Sequence, residues 1–143
     1  MRDEGQTLIG GFHSVMEWEC LGIFLRGCQP VIWVPARSIV GMRLKPELVP
    51  AFKVGRLLIL SPLAPNHKRI TTALAEERNR FVAALADRIF VPHAAPNSRS
   101  LAFCIELHTS GKQIVSVVDA NNKGLSGLAS TIPANPQPPT TLL

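Results

Sequence analysis

Cysteine is scarce in this chain, charge is sparse and long apolar runs are missing. Three cysteines, Cys20, Cys28 and Cys104, are spread over 143 residues, and no two form a C-x-x-C pair. An odd number at such spacing argues against a disulfide framework and against a zinc site. Buried or half-buried thiols in a reducing compartment fit these positions. Charged residues make up 17% of the chain, a low share for a globular surface. No apolar run is long enough to span a bilayer. Residues 1–5 are charged and lack the apolar core of a signal peptide. The expected location is the cytoplasm, with no membrane partner. The chain has no Walker A sequence, no G-x-S-x-G elbow and no Arg-rich block. Its ten acids form no pair near the expected strand ends. Triad hydrolysis and P-loop chemistry are thereby excluded.

What is present is an apolar share of 46% and a length that suits one domain with a real core. The formal net charge of +5 permits a polyanionic partner without demanding one. Five short apolar runs stand out, at 7–10, 31–34, 57–60, 89–91 and 114–118. They are compact and do not alternate, as strands buried on both faces of a parallel sheet do. Helical patterns lie between most of them. Residues 14–26 place Trp18, Leu21, Gly22 and Leu25 on one stripe. Residues 71–86 do the same with Leu74, Phe81, Val82 and Leu85, adjoining Ile70. Residues 98–110 do so with Leu101, Ile105 and His108. Pro46 and Pro50 allow only a short helix between 43 and 54.

Strand starts recur roughly every 23 to 32 residues, the size of a β-helix-β unit. The expected fold is therefore an α/β, three-layer Rossmann-like domain over residues 1–125. It would hold a mostly parallel five-stranded sheet with helices on both faces. Residues 126–143 contain Pro133, Pro136, Pro138 and Pro139 and read as a flexible, Pro-rich tail.

In such a sheet, ligands bind beyond the carboxyl ends of the strands. Four loops are expected there: Gly10-Gly11-Phe12-His13-Ser14, Pro35-Ala36-Arg37, Ser61-Pro62, and the loop from His93 through Asn97 to Ser98. The glycine pair allows a tight turn and a close approach to a ligand. Ser14 and Glu17 read as a capping box. Amides at that helix start suit a phosphate, although a plain capped turn explains the same residues. Arg37 is placed to fork onto a phosphate, and Ser98 to cap the next helix. His13 and His93 sit at the same edge, but no carboxylate or cysteine completes a metal site with them. No metal or other cofactor is expected.

Arg78-Asn79-Arg80 is the sharpest feature. A helix starting near Thr71 puts Arg78 inside the apolar stripe, where a guanidinium needs an acidic or carbonyl partner such as Asp87 or Glu106. A later start puts the triplet in the first turn, facing the ligand edge.

These residues resemble the Rossmann core of the DprA/Smf DNA-processing family, within the wider SLOG superfamily of LOG-type nucleotide-binding proteins. The segment Gly55-Arg56-Leu57-Leu58-Ile59-Leu60-Ser61-Pro62 looks like that family's strand before its central helix. The run from Arg78 to Asp87 is similar to its Arg-Asn-Arg helix. Ser98, Leu101, Ala102 and then Gly111 to Val115 fit the helix and strand that follow. The family's first loop reads Ser-Gly-Gly-x-Arg-Gly, and His13 stands nearest its basic residue. The resemblance implies binding of single-stranded DNA or a nucleotide, a RecA-like recombinase as partner, and a homodimer. It makes Arg78 and Arg80 phosphate contacts. It also implies that a first β-α unit is lacking before Leu8. A LOG-type, phosphoribohydrolase-like enzyme or sensor is the alternative. Pro96-Asn97-Ser98-Arg99-Ser100 matches its Pro-Gly-Gly-x-Gly-Thr poorly, so binding is expected ahead of hydrolysis. A truncated, non-catalytic interaction module is the remaining reading.

Overall fold

The computed structural model describes residues 6–118 and 120–132. The chain divides into two units, Met1–Leu85 and Ala86–Leu143.

In the first unit, apolar tripeptides become strands wherever a turn lets the chain enter and leave. Strand β1 is Leu8–Gly10, β2 is Val31–Trp33 and β3 is Leu57–Ile59. They pair in parallel in the order β1-β2-β3, with Ile9 opposite Ile32 and Ile32 opposite Leu58. Helix α1, Val15–Leu25, connects the first two strands. A short 3-10 turn at Pro46–Leu48 and helix α2, Val49–Lys53, precede the third. Pro46 and Pro50 both sit in first turns, where a missing N–H costs nothing.

Two right-handed crossovers that step the same way along a sheet place their helices on one face. The core agrees: Leu21 of α1, Leu48 and Ala51 pack with Val31 and Leu57 in one cluster. Arg56 closes the far end of α1, its guanidinium donating to the carbonyls of Gly27 and of Leu25, the latter at 2.8 Å. A cation at these otherwise unpaired carbonyls also suits the helix dipole. Helix α3, Thr72–Leu85, buries Leu74, Arg78 and Ala83.

The second unit repeats the pattern. Strands β4 (Arg88–Phe90), β5 (Gln113–Val117) and β6 (Ala129–Ile132) pair in parallel in that order. Helix α4, Arg99–Thr109, buries Cys104 and Leu107. Burial pushes the Cys104 thiol pKa up, which leaves it the less reactive form. β5 is central, and Ile114, Val115 and Ser116 are all buried.

The five expected runs all form strands in a parallel arrangement, but the single five-stranded sheet is not formed. Two three-stranded sheets stand in its place. The residues of β1 and β4 explain this. β1 is half-buried along its length, and β4 alternates exposed Arg88, half-buried Ile89 and exposed Phe90. Both are edge strands, not strands buried between two neighbours. The sixth strand, β6, lies inside the segment read as a tail; residues 133–143 fall outside the described residues. No helix among the described residues is long and apolar enough to cross a membrane.

Candidate functional site

The carboxyl ends of β1, β2 and β3 gather the loops of the first unit. The Val34 N–H donates to the Gly10 carbonyl at 2.9 Å, and the Leu60 N–H to the Trp33 carbonyl at 3.0 Å. The strands are thereby held together past their last paired residues.

The first loop is built around two backbone conformations. Phe12 takes a left-handed φ of 44°, and its ring folds back beneath Gly10. Gly11 lies against the side chain of Arg78, so closely that a Cβ there would fall on the guanidinium. On the carbonyl side, Trp33 Nε1 donates to the Gly11 oxygen at 3.0 Å. Trp33 is itself steadied by an edge contact with Trp18, ring centroids 5.6 Å apart. Lys45 Nζ lies 3.8 Å above the Trp18 ring, a cation–π placement.

Arg78 occupies the stripe position that the early helix start predicts, and it is 4% exposed. Its partners are neither Asp87 nor Glu106. Nη1 donates to the Val34 carbonyl at 3.0 Å, and Nε to Asn79 Oδ1 at 2.8 Å. Burial lowers the guanidinium pKa, and the charge of Glu17 works in the opposite sense. Arg78 thus ties α3 to the ends of β1 and β2. In this arrangement it shapes the edge from beneath. Arg80, two residues on, is exposed.

The capping box forms as expected, and it changes what the helix start offers. Ser14 Oγ accepts from the Glu17 N–H at 3.2 Å. Glu17 Oε2 accepts from the N–H groups of Ser14 and His13, at 2.8 and 3.1 Å. Glu17 thus holds the Ser14 amide, as the capping box requires, and the His13 amide as well. Partial burial pushes the Glu17 carboxyl up, but the donors of Ser14 and His13 and the nearby Arg78 charge outweigh it. The net result is a value below the ordinary carboxylate range. A depressed folded-state pKa stabilises the protein above the unfolded-state value, and the contribution fades as pH falls through the folded one. Glu17→Gln should therefore flatten the acid limb of stability, followed by urea denaturation from about pH 7 to about pH 3. An unchanged acid limb would remove this role.

The second and third loops are stapled by Ser61. Its Oγ donates to the Arg37 carbonyl at 2.9 Å and accepts from the Leu63 N–H at 3.2 Å. Ser61 is thus occupied in fixing the backbone under Arg37. The Arg37 side chain is half-buried, and its guanidinium has no acceptor among the described residues.

The last loop belongs to the second unit. Ser98 caps α4, accepting from the Leu101 N–H at 3.1 Å, and Asn97 before it takes a left-handed φ of 57°. His93, just past β4, is exposed, with Nδ1 2.9 Å from Asn122 Oδ1. Asn122 was not legible as a site residue. Its mark in the sequence is a side-chain amide two residues before Gly124, shortly after an apolar run.

Of the residues singled out, Gly10, Gly11, Phe12, His13, Ser14, Arg37, Ser61 and Arg78 meet at the strand ends of the first unit. His93, Asn97 and Ser98 lie together at the end of β4 in the second. The sequence reading missed Val34, whose carbonyl anchors Arg78, and Trp33, which anchors Gly11.

No protein-family model matches this sequence, and no curated protein does. Two solved structures share its fold. One is DNA processing protein A from Helicobacter pylori, described for its single-stranded DNA binding mode, with a TM-score of 0.67 and 19% identity over 87% of this chain. The other is DprA from Streptococcus pneumoniae, with a TM-score of 0.66 and 17% identity over 92% of this chain. The chain spans 60% of the length of the first and 49% of the second. Its fold is that of a DprA-like, Rossmann-type domain.

Proposed function

We propose that the strand-end edge of the first unit binds the phosphates of single-stranded DNA, with Arg37 as its principal cation. The observation that carries this reading is the state of Arg37. Its backbone is pinned by Ser61, while its guanidinium has no acceptor among the described residues. A half-buried guanidinium with no acceptor among the described residues, at the carboxyl edge of a parallel sheet, is where an anion is expected. The net charge of +5 agrees in sign. The shared fold with a protein described as binding single-stranded DNA supports the choice of polyanion.

Roles follow from position. Gly10, Gly11 and Phe12 form the floor of the edge, and Arg78 holds that floor up. His13 lies beside it, and the family resemblance assigns exposed Arg80 a phosphate contact. Ser14 stays with the helix cap, because Glu17 already takes its amide. His93, Asn97 and Ser98 form a separate polar cluster at the end of β4 in the second unit. By the family resemblance, the protein works in the cytoplasm, as a homodimer, and hands DNA to a RecA-like recombinase. No step of this reading is catalytic.

The test is fluorescence anisotropy with a labelled single-stranded oligonucleotide over a salt series. Affinity should fall steeply as salt rises. Arg37→Ala should weaken binding about tenfold and reduce the salt slope by about 0.7, the share of one phosphate on a single strand. Equal affinity and equal slope for the variant would refute the assignment. Stabilisation by a free nucleotide without oligonucleotide binding would favour the sensor reading instead.

A further inference from the structure

The polar centre of the second unit fixes the proton of His93. Asn122 is 7% exposed, and its amide is used on both sides. Nδ2 donates to the Pro92 carbonyl at 2.8 Å, to Ser116 Oγ at 3.3 Å and to the Val117 carbonyl at 3.5 Å. Oδ1 accepts from the Ala94 N–H at 3.3 Å. Ser116 Oγ spends its own proton on the Val91 carbonyl at 2.8 Å, so toward Asn122 it can only accept. Turning the amide over would set an oxygen against three acceptors and a nitrogen against a backbone N–H. Its orientation is therefore determined by its surroundings.

It follows that the atom facing His93 is an acceptor. His93 Nδ1, 2.9 Å from Oδ1, must carry a proton. In the neutral ring the other nitrogen, Nε2, then carries the lone pair. The ring is exposed at the end of β4, ahead of the Ser98-capped start of α4.

We infer that Asn122 is a positioning residue that holds His93 in its Nδ1–H tautomer. Nε2 is thereby presented as a hydrogen-bond acceptor for an N–H group of a nucleobase. The second half rests on the proposed binding of single-stranded DNA; the first half does not. In the neutral ring Nε2 is then an acceptor, suited to an N–H group and not to a phosphate oxygen.

The experiment is long-range ¹H–¹⁵N correlation NMR on the full chain, labelled at histidine and held on the alkaline side of histidine titration. His93→Gln identifies the His93 signals among those of the four histidines. The expected spectrum has a pyrrole-like Nδ1 and a pyridine-like Nε2, the reverse of the tautomer favoured by free histidine. A pyrrole-like Nε2 overturns the inference. Asn122→Ser should return the ring toward a mixed tautomer. The wild-type spectrum decides the matter even if that variant folds poorly.

A short oligodeoxyadenylate, whose bases carry amino donors, is then added, with binding followed separately by anisotropy. Nε2 should shift on binding yet stay unprotonated. Conversion to an imidazolium pattern, or an Nε2 signal that does not move while DNA binds, overturns the acceptor role. No binding at low salt removes the DNA reading and the acceptor role together, with the locked tautomer left standing.

Discussion

Gly11→Ala should lower the stability of the first unit by about 3 kcal/mol. A new Cβ would fall on the Arg78 guanidinium. The end of a long side chain usually gives way cheaply, but this one is 4% exposed and hydrogen-bonded at Nη1 and Nε. Either the guanidinium leaves the Val34 carbonyl, stranding a buried acceptor, or the loop lifts and pulls Gly11 from Trp33. Each route gives up a buried hydrogen bond on top of the steric strain. The expected fall in melting temperature is about 10 °C for a chain of this size. Both tryptophans, Trp18 and Trp33, lie in the first unit, so intrinsic fluorescence reports on it directly. Gly22→Ala is the control. A Cβ there meets nothing within 4 Å, and alanine in the middle of α1 should stabilise by up to about 1 kcal/mol. A Gly11→Ala loss no larger than a few tenths of a kcal/mol would mean that Arg78 swings aside freely and is not a fixed strut.

Much of this arrangement is legible in the sequence, because its causes are local. The runs at 7–10, 31–34 and 57–60 form strands, since short β-branched and leucine-rich segments next to turns have few other ways to bury themselves. The Ser14 and Glu17 pair is a capping box because its spacing alone sets both hydrogen bonds. Sheet membership was not readable in this way. The run at 89–91 looks like any interior strand, and only the exposure of Arg88 and Phe90 marks an edge. β6 was missed because Ala129-Ser130-Thr131-Ile132 has little apolar content and stands before Pro133. At the candidate site, residue types were legible but their commitments were not. The periodicity placed Arg78 on a buried stripe. Its acceptor, however, is a backbone carbonyl, which leaves no trace in side-chain chemistry. The capping box assigns the Ser14 amide to Glu17, but the same carboxylate also takes the His13 amide, which the spacing does not reveal.

That last point separates two kinds of basic residue at this edge. Arg78 is buried and holds backbone, so removing it should act first on folding. Arg37 is held by its backbone and its guanidinium has no acceptor among the described residues, so removing it should act on binding with little effect on folding. A variant series can therefore assign each arginine by which measurement it moves. Arg37→Ala should leave the urea midpoint of the first unit within the range of ordinary surface substitutions, about 0.5 kcal/mol.

The sharpest test of the Gly11–Arg78 contact is a double-mutant cycle. Arg78→Ala alone should cost about 3 kcal/mol. It empties a buried volume and strands the Val34 carbonyl. If the two residues acted independently, Gly11→Ala with Arg78→Ala would cost about 6 kcal/mol, enough to unfold many domains. The geometry requires otherwise. With the guanidinium gone, the new Cβ enters the space it vacated, and the second substitution loses most of its effect. The double variant should sit within about 1 kcal/mol of Arg78→Ala alone, a coupling of about 2 to 3 kcal/mol. Guanidinium denaturation followed by tryptophan fluorescence measures all four corners of the cycle. Additive losses would show that alanine at position 11 is costly for its backbone alone. The glycine would then be there for the turn, and the Arg78 side chain would be a neighbour whose position the loop does not require.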